Sequence, residues 1–410
     1  MRRIILIIFL TAAPLFGFSA EGLRTLPDTA EAIALAGGRL LLLDDASVVR
    51  TNPATLTDFE DTTLTVTYQG WHGKIDYAGP GGRSDSMIDP MKHLGSMYIA
   101  HPISDTLSAG LGFSAPYGLE INWPAEGAFK YSGASSVNLK TYAINPALGL
   151  KLNDKVSLGV GLDIFKSSLR IQQKFPWALV AGAPVPDGNM EFDGDGWGVG
   201  GYAAINFDLN DRHHFALTGR LPVSVDYEGD FSITNIPAPG VGLPGTPFDS
   251  EIEYPGSIGA GYAFDVSEKL SVGIDFEWTN NSSHDDLPLN IGANQALLGG
   301  NDAVIFDWED SITFGIGAEY EWTESLTLRG GYQYADSPMS STTWNPSIPA
   351  DDRHILSVGA GYEWGLHSID LAYSKILMGT TSVSGNLKPA FNGNYTSDWD
   401  IITLSYTRRF

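Results

Sequence analysis

Nucleophilic catalysis needs a Ser, Cys or Lys held within hydrogen-bond reach of a base. In this chain of 410 residues the eight histidines are scattered, no Gly-x-Ser-x-Gly stretch occurs, and there is no cysteine. The lack of cysteine also removes disulfides, thiolate zinc ligands and a lipoprotein anchor. The run Asp187-Gly188-Asn189-Met190-Glu191-Phe192-Asp193-Gly194-Asp195-Gly196 has the look of a calcium loop, yet it lacks the Gly at position 6 and the Glu at position 12 of an EF-hand. Catalytic residues, metals and cofactors are therefore all expected to be absent, and the chain is read as a non-enzyme. The informative residues are instead apolar side chains and chain breakers, and their meaning depends on the elements that carry them.

Those elements are strands. From Thr62 onward, short segments alternate apolar and polar residues between Asn, Asp, Gly and Pro clusters, the period-two signature of a strand with two different faces. In the segment 312–322, Ile312, Phe314, Ile316, Ala318, Tyr320 and Trp322 share one face, while the other carries Thr, Gly and Glu. The segments 270–278 and 356–364 repeat this pattern, with aromatics at the ends of the apolar face. A greasy face capped by aromatics and an opposite face that is small or charged fit a transmembrane β-barrel with an apolar outer band and a polar lumen. A soluble sandwich would not make its outer face so rich in glycine.

About fourteen strands are expected, starting near Thr62, Leu94, Thr106, Val137, Val156, Glu191, His214, Glu251, Lys269, Val304, Leu326, His354, His367 and Trp399. Tight connections at 152–155, 209–212 and 265–268 alternate with long ones at 175–189, 237–247 and 280–301. That asymmetry fits periplasmic turns and extracellular loops. At the start, Arg2 and Arg3, the apolar run Ile4–Leu10 and the small residues up to Ala20 read as a secretory signal peptide over 1–19. Taking Arg2 and Arg3 from the 24 basic residues leaves 22 against 48 acidic ones, a mature charge of −26. With no basic cluster, nucleic acid is excluded as a partner.

Residues 20–60 form a segment before the first strand, containing Ala34-Leu35-Ala36-Gly37-Gly38, Asp44-Asp45-Ala46-Ser47 and Thr51-Asn52-Pro53-Ala54-Thr55-Leu56. This segment resembles the N-terminal hatch of the FadL/TodX family, outer-membrane transporters of long-chain fatty acids and, in sister branches, of aromatic hydrocarbons. His101-Pro102-Ile103-Ser104-Asp105, Ala115-Pro116-Tyr117-Gly118-Leu119, Asn145-Pro146-Ala147, Phe215 to Pro222 and Tyr334 to Pro338 continue the resemblance in order through the chain. It implies a hatch over 20–60 inside a barrel over 61–410, in the outer membrane of a Gram-negative bacterium. It also implies a channel plug at Asn52, Pro53 and Ala54, and a lateral opening at an inward kink in the third strand, here Pro116, Tyr117 and Gly118. Pro116 read by itself also suits a strand that ends at its extracellular rim.

Strand parity adds a candidate pocket. Val137 and Leu139 in the fourth strand, with Phe165, Leu169 and Ile171 in the fifth, are apolar on the lumen-facing parity at the extracellular end. They line an apolar lumen pocket if parity runs through, and face lipid if a bulge resets it. With a bulge, Lys166 and Arg170 meet a substrate carboxylate; without one they point outward, towards lipopolysaccharide phosphates. The final strand ends in Phe410, resembling the signature read by the barrel-assembly machinery. The expected function is uptake of hydrophobic small molecules, foremost long-chain fatty acids, by a monomer among outer-membrane lipids. Aromatic hydrocarbons are the alternative within the family, and a general porin or an outer-membrane hydrolase the alternatives outside it. The acidic charge repels fatty-acid anions at long range and so favours a neutral hydrocarbon.

Overall fold

In the computed structural model, residues 22–88, 90–237 and 246–410 are described. The signal-peptide reading of 1–19 and the middle of the 237–247 loop lie outside them. Alternating sequence folds into one closed antiparallel wall of 14 strands. They are β1 Thr63–Ala78, β2 Met91–Ser104, β3 Leu107–Asn122, β4 Ser136–Asn153, β5 Val156–Phe175 and β6 Gly188–Asn210. There follow β7 in two pieces, His213–Arg220 and Val223–Ile233, and β8 in two pieces, Thr246–Tyr254 and Ser257–Ser267. β9 Leu270–Thr279, β10 Ser311–Thr323, β11 Leu326–Ala335, β12 Arg353–Trp364, β13 His367–Val383 and β14 Gly393–Arg409 complete the wall. β14 pairs with β1 from Thr63↔Arg409 to Ala78↔Asn394, so no edge is left open there.

The expected strand starts agree with most of these, and three differ, the first being Glu251, which lies within a piece that already begins at Thr246. Val304 belongs to a short hairpin within the loop after β9, Asp286–Pro288 with Ala303–Ile305, and β10 begins only at Ser311. The last strand begins at Gly393 rather than near Trp399, because Asn394 to Asp398 still pair with β1. The acidic run 187–196 is almost wholly β6, and Asp193 and Asp195 face outward to ion-pair with Arg170 and Lys166.

The outer face carries the apolar parity. Ile312, Phe314, Ile316, Leu356, Val358, Leu148 and Leu162 are all exposed, and Tyr320, Trp322, Tyr362 and Trp364 cluster at the periplasmic ends of their strands. Exposed to water these positions would be unfavourable, but against lipid they are the barrel's membrane surface. The alternation of tight and long connections is as expected, with two-residue turns at Asp105-Thr106, Asp154-Lys155, Asp211-Arg212 and Glu324-Ser325.

Candidate functional site: a hatch, an apolar chamber and breaks in the wall

The segment before β1 folds against the inner wall. Thr29 caps a short helix, Ala30–Leu35, by accepting from the Ala32 N–H at 3.3 Å, and a second turn, Val48–Thr51, leads into a 3-10 turn at Pro53–Asp58. Its footprint is written in lumen-facing glycines. A Cβ on Gly159 of β5 would stand 2.2 Å from the Ala54 nitrogen, and one on Gly317 of β10 would stand 2.2 Å from the Leu35 and Gly37 carbonyl oxygens. Only glycine lets the backbones approach this closely. Asn52 is fully buried: its amide donates to the Leu40 carbonyl at 2.6 Å and to Asn206 of β6 at 2.7 Å, while its carbonyl accepts from the Ala54 N–H at 3.2 Å. Pro53 follows because it needs no N–H partner at the start of the turn.

Ion pairs fasten the segment further. Arg329 of β11 reaches Glu31 at 3.5 Å, Glu319 at 2.5 Å and Asp370 at 2.8 Å, and Arg24 pairs with Glu277 of β9. Asp163 pairs with Arg220. The Arg24 pairing was not legible in the sequence, since no periodicity places a loop residue against a distant strand.

β3 changes its neighbour along the stretch that carries Pro116, Tyr117 and Gly118. Its ladder with β2 stops at Met97↔Phe113, although the strand runs on to Asn122. Its ladder with β4 bulges between Ser114 and Tyr117. The edge freed from β2 pairs with the hatch instead: the Thr25 N–H donates to the Pro116 carbonyl at 3.0 Å and the Gly118 N–H to the Leu23 carbonyl at 3.0 Å. Pro116 thus does not end the strand; it sits where the neighbour changes, and its missing N–H costs no ladder bond there.

Above the hatch lies the apolar chamber. No bulge resets parity in β4 or β5: Ile144↔Ile164 and Ala147↔Gly161 keep one register, and Val137, Leu139, Phe165, Leu169 and Ile171 are all buried in the lumen. Val137 and Ile171 line a cavity of about 670 Å³ with Phe175, Phe192, Ile348 and Phe391. Leu139, Phe165 and Leu169 are buried in the lumen but do not line that cavity; Phe165 packs instead against Tyr117 and Tyr254, whose rings lie 5.7 and 5.5 Å from it. Lys166 and Arg170 point outward and are held by Asp195 and Asp193, so the arrangement in which they meet a lumen ligand is not formed. Lys174 and Lys388 stand at the chamber instead. Burial lowers the pKa of the Lys388 ammonium, which lies 5.7 Å over the Phe391 ring.

A closed barrel with an apolar outer band, a folded segment in its lumen and a strand that parts from its neighbour defines an outer-membrane transport protein. The family model described as outer membrane protein transport protein (OMPP1/FadL/TodX) matches residues 19–410. The chain belongs to that family and is not an enzyme, and its place is the outer membrane of a Gram-negative bacterium. It is 26% identical over 383 residues to the long-chain fatty acid transport protein of Escherichia coli K12, covering 82% of this chain and 83% of that protein. Among solved structures it is similar to a Pseudomonas aeruginosa FadL homologue, with a TM-score of 0.81 at 22% identity over 95% of this chain and all of that one. It is also similar to the Pseudomonas putida toluene transporter TodX, with a TM-score of 0.72 at 17% identity over 93% of this chain and 99% of that one.

Proposed function

We propose that the protein takes up hydrophobic small molecules, foremost long-chain fatty acids, across the outer membrane. A substrate enters the apolar chamber, the hatch around Asn52, Pro53 and Ala54 shifts, and the substrate leaves sideways where β3 parts from β2 at Pro116, Tyr117 and Gly118. The carrying observation is that bend, where β3 leaves β2 and its freed edge bonds Leu23 and Thr25 instead. An ordinary water-filled pore gives an apolar solute no gain, whereas a dry chamber with a lipid exit does. The cavity of about 670 Å³ is of the size that takes such ligands. Lys388 at the chamber favours a carboxylate-bearing chain, in keeping with the fatty-acid transporters among the relatives, while Lys174 beside it is paired with Glu126 at 3.3 Å. The charge of the chain, −24 over all 410 residues, favours the second reading, a neutral aromatic hydrocarbon.

The test is uptake in a strain lacking its own transporters. Wild-type protein should restore uptake of oleate while leaving small-sugar uptake unchanged, and P116V/G118V, which restores ladder bonding to β2, should cut oleate uptake severalfold. Toluene uptake without oleate uptake selects the hydrocarbon reading. Sugar permeability that rises with neither of the two substrates refutes both.

A further inference from the structure

The wall is broken a second time, between β6 and β7. Their ladder runs from Asn210↔His213 to Tyr202↔Arg220 and resumes only at Asp195↔Glu228. Between these, residues 196–201 keep their partners in β5, and towards β7 one bond is formed, from the Leu221 N–H to the Gly201 carbonyl at 2.9 Å. The cause is in the sequence. Pro222 divides β7, and Pro255-Gly256 divides β8 at the facing position, so neither strand can carry its ladder straight through. Beyond the breaks, the β7 and β8 pieces stay paired with each other, Val223↔Tyr254 to Phe231↔Thr246, and shift inward together. They lie over β6: a Cβ on Gly196 would stand 2.0 Å from the Asp226 carbonyl oxygen, and one on Gly198 2.6 Å from that of Ser224.

The inward shift leaves a groove of about 600 Å³ in the outer side of the wall, with Leu221, Pro222, Ile258 and Trp278 towards lipid and Tyr202 and Arg220 at its inner end. Its depth is that of the outer leaflet. Outward side chains from Phe207 up to Trp197 on β6 span about 25 Å at the usual rise and tilt, so Trp197 marks the outer interface beside the gap. Inside, a cavity of about 70 Å³ between hatch and wall shares Tyr202, Gly219, Arg220 and Ser257 with the groove. The hatch holds the partition between them. The Tyr202 hydroxyl donates to the Val49 carbonyl at 2.7 Å, Arg220 donates to the Arg50 carbonyl at 2.8 Å, and the Arg220 guanidinium lies 4.4 Å over the Tyr202 ring.

The ligand class follows from charge. Each arginine at the inner cavity faces an acid: Arg24 with Glu277, Arg220 with Asp163, Arg39 with Asp275 at 3.7 Å and Arg50 with Asp28 at 3.9 Å. No surplus charge awaits an ionic headgroup, whereas the outer groove is apolar. We propose that this gap is a second lateral passage, through which a neutral hydrocarbon or the hydrocarbon part of a substrate moves between the hatch-side lumen and the outer leaflet when the hatch withdraws from Tyr202 and Arg220. Its use in transport rests on the uptake reading above.

The cysteine-free chain permits a direct test of access that needs no transport. In lipid vesicles, the S257C thiol should react with a long-chain alkyl maleimide at least about tenfold faster than the S374C thiol, which is buried on an unbroken stretch of wall. G201W/G219W should bring the S257C rate down to that of S374C. These glycines take a side chain without clash, since a Cβ on Gly219 meets nothing within 4 Å and one on Gly201 nothing nearer than 3.6 Å. In cells, the oleate uptake left by P116V/G118V should vanish when G201W/G219W is added. The passage is overturned if S257C reacts no faster than S374C, if the tryptophans leave its rate unchanged, or if P116V/G118V alone abolishes uptake. A wild-type chain that transports nothing but shows the labelling pattern would refute the uptake reading and retain the passage.

Discussion

Single side chains set what the chamber accepts. Phe165 is buried against two tyrosine rings in the apolar lumen, so F165N sets a polar amide in the packing from which the chamber wall is built. Oleate binding to the purified protein should weaken by about 1–3 kcal/mol, read by calorimetry, with the barrel still folded. K388Q removes a half-desolvated charge beside the chamber, and should weaken oleate binding while leaving that of toluene unchanged; equal effects on both would remove the carboxylate contact. Glu31 governs the hatch. Burial pushes its carboxyl well above the usual carboxylate range, Arg329 offsets this in part, and nearby Asp45, Glu319 and Asp370 push the same way as burial. Because the pKa is raised in the folded hatch, its contribution to stability is full below the unfolded value of about 4.3 and is lost as pH rises through the raised one. Asp45, raised by its own burial, acts in the same sense. Hydrogen exchange of residues 30–58, corrected for intrinsic rates, should therefore speed up as pH rises, with a shallower slope in E31Q.

At the level of elements, a rigid wall and a loosely bound insert divide the labour. The segment before β1 has little secondary structure of its own, and what holds it to the wall includes Asn52, the Arg329 cluster, the Arg24–Glu277 pair, the bonds to β3, Tyr202 and Arg220, and close glycine contacts. Such a segment opens at lower cost than a ladder of paired strands. G159V places a branched side chain where the Ala54 nitrogen already stands, so the hatch must lift from β5. Planar-bilayer conductance of G159V should exceed that of the wild type, while heat-modifiable migration of the barrel is unchanged. The hatch touches both breaks in the wall, β3 through Leu23 and Thr25, and the β6–β7 gap through Val49 and Arg50. A displacement of this segment would therefore disturb the contacts at both breaks.

On the scale of the molecule, closure of the barrel depends on its last strand. The Phe410 N–H donates to the Thr62 carbonyl at 3.0 Å, at the seam between β14 and β1. Deleting Phe410 should lower the amount of heat-modifiable barrel in the outer membrane; normal accumulation would refute its role in assembly. The strand count, the lipid-facing parity and the alternation of turns and loops were legible in the sequence because a period of two is a local property, set by the pleat and by which solvent each face meets. Parity likewise placed Phe165 and Leu169 in the lumen, since no bulge intervened. The strand divisions at Pro222 and Pro255 were visible as residues, yet their outcome was not: whether a broken ladder bends out, ends or folds inward depends on the glycines of β6 that receive it. The hatch contacts were similarly hidden, because Arg24 meets Glu277 and Asn52 meets Asn206 across long sequence separations that no pattern encodes. By itself the sequence determined a two-faced strand repeated around a membrane barrel, and only the tertiary structure decided how far each ladder runs before it breaks, since a break is the failure of two distant strands to pair.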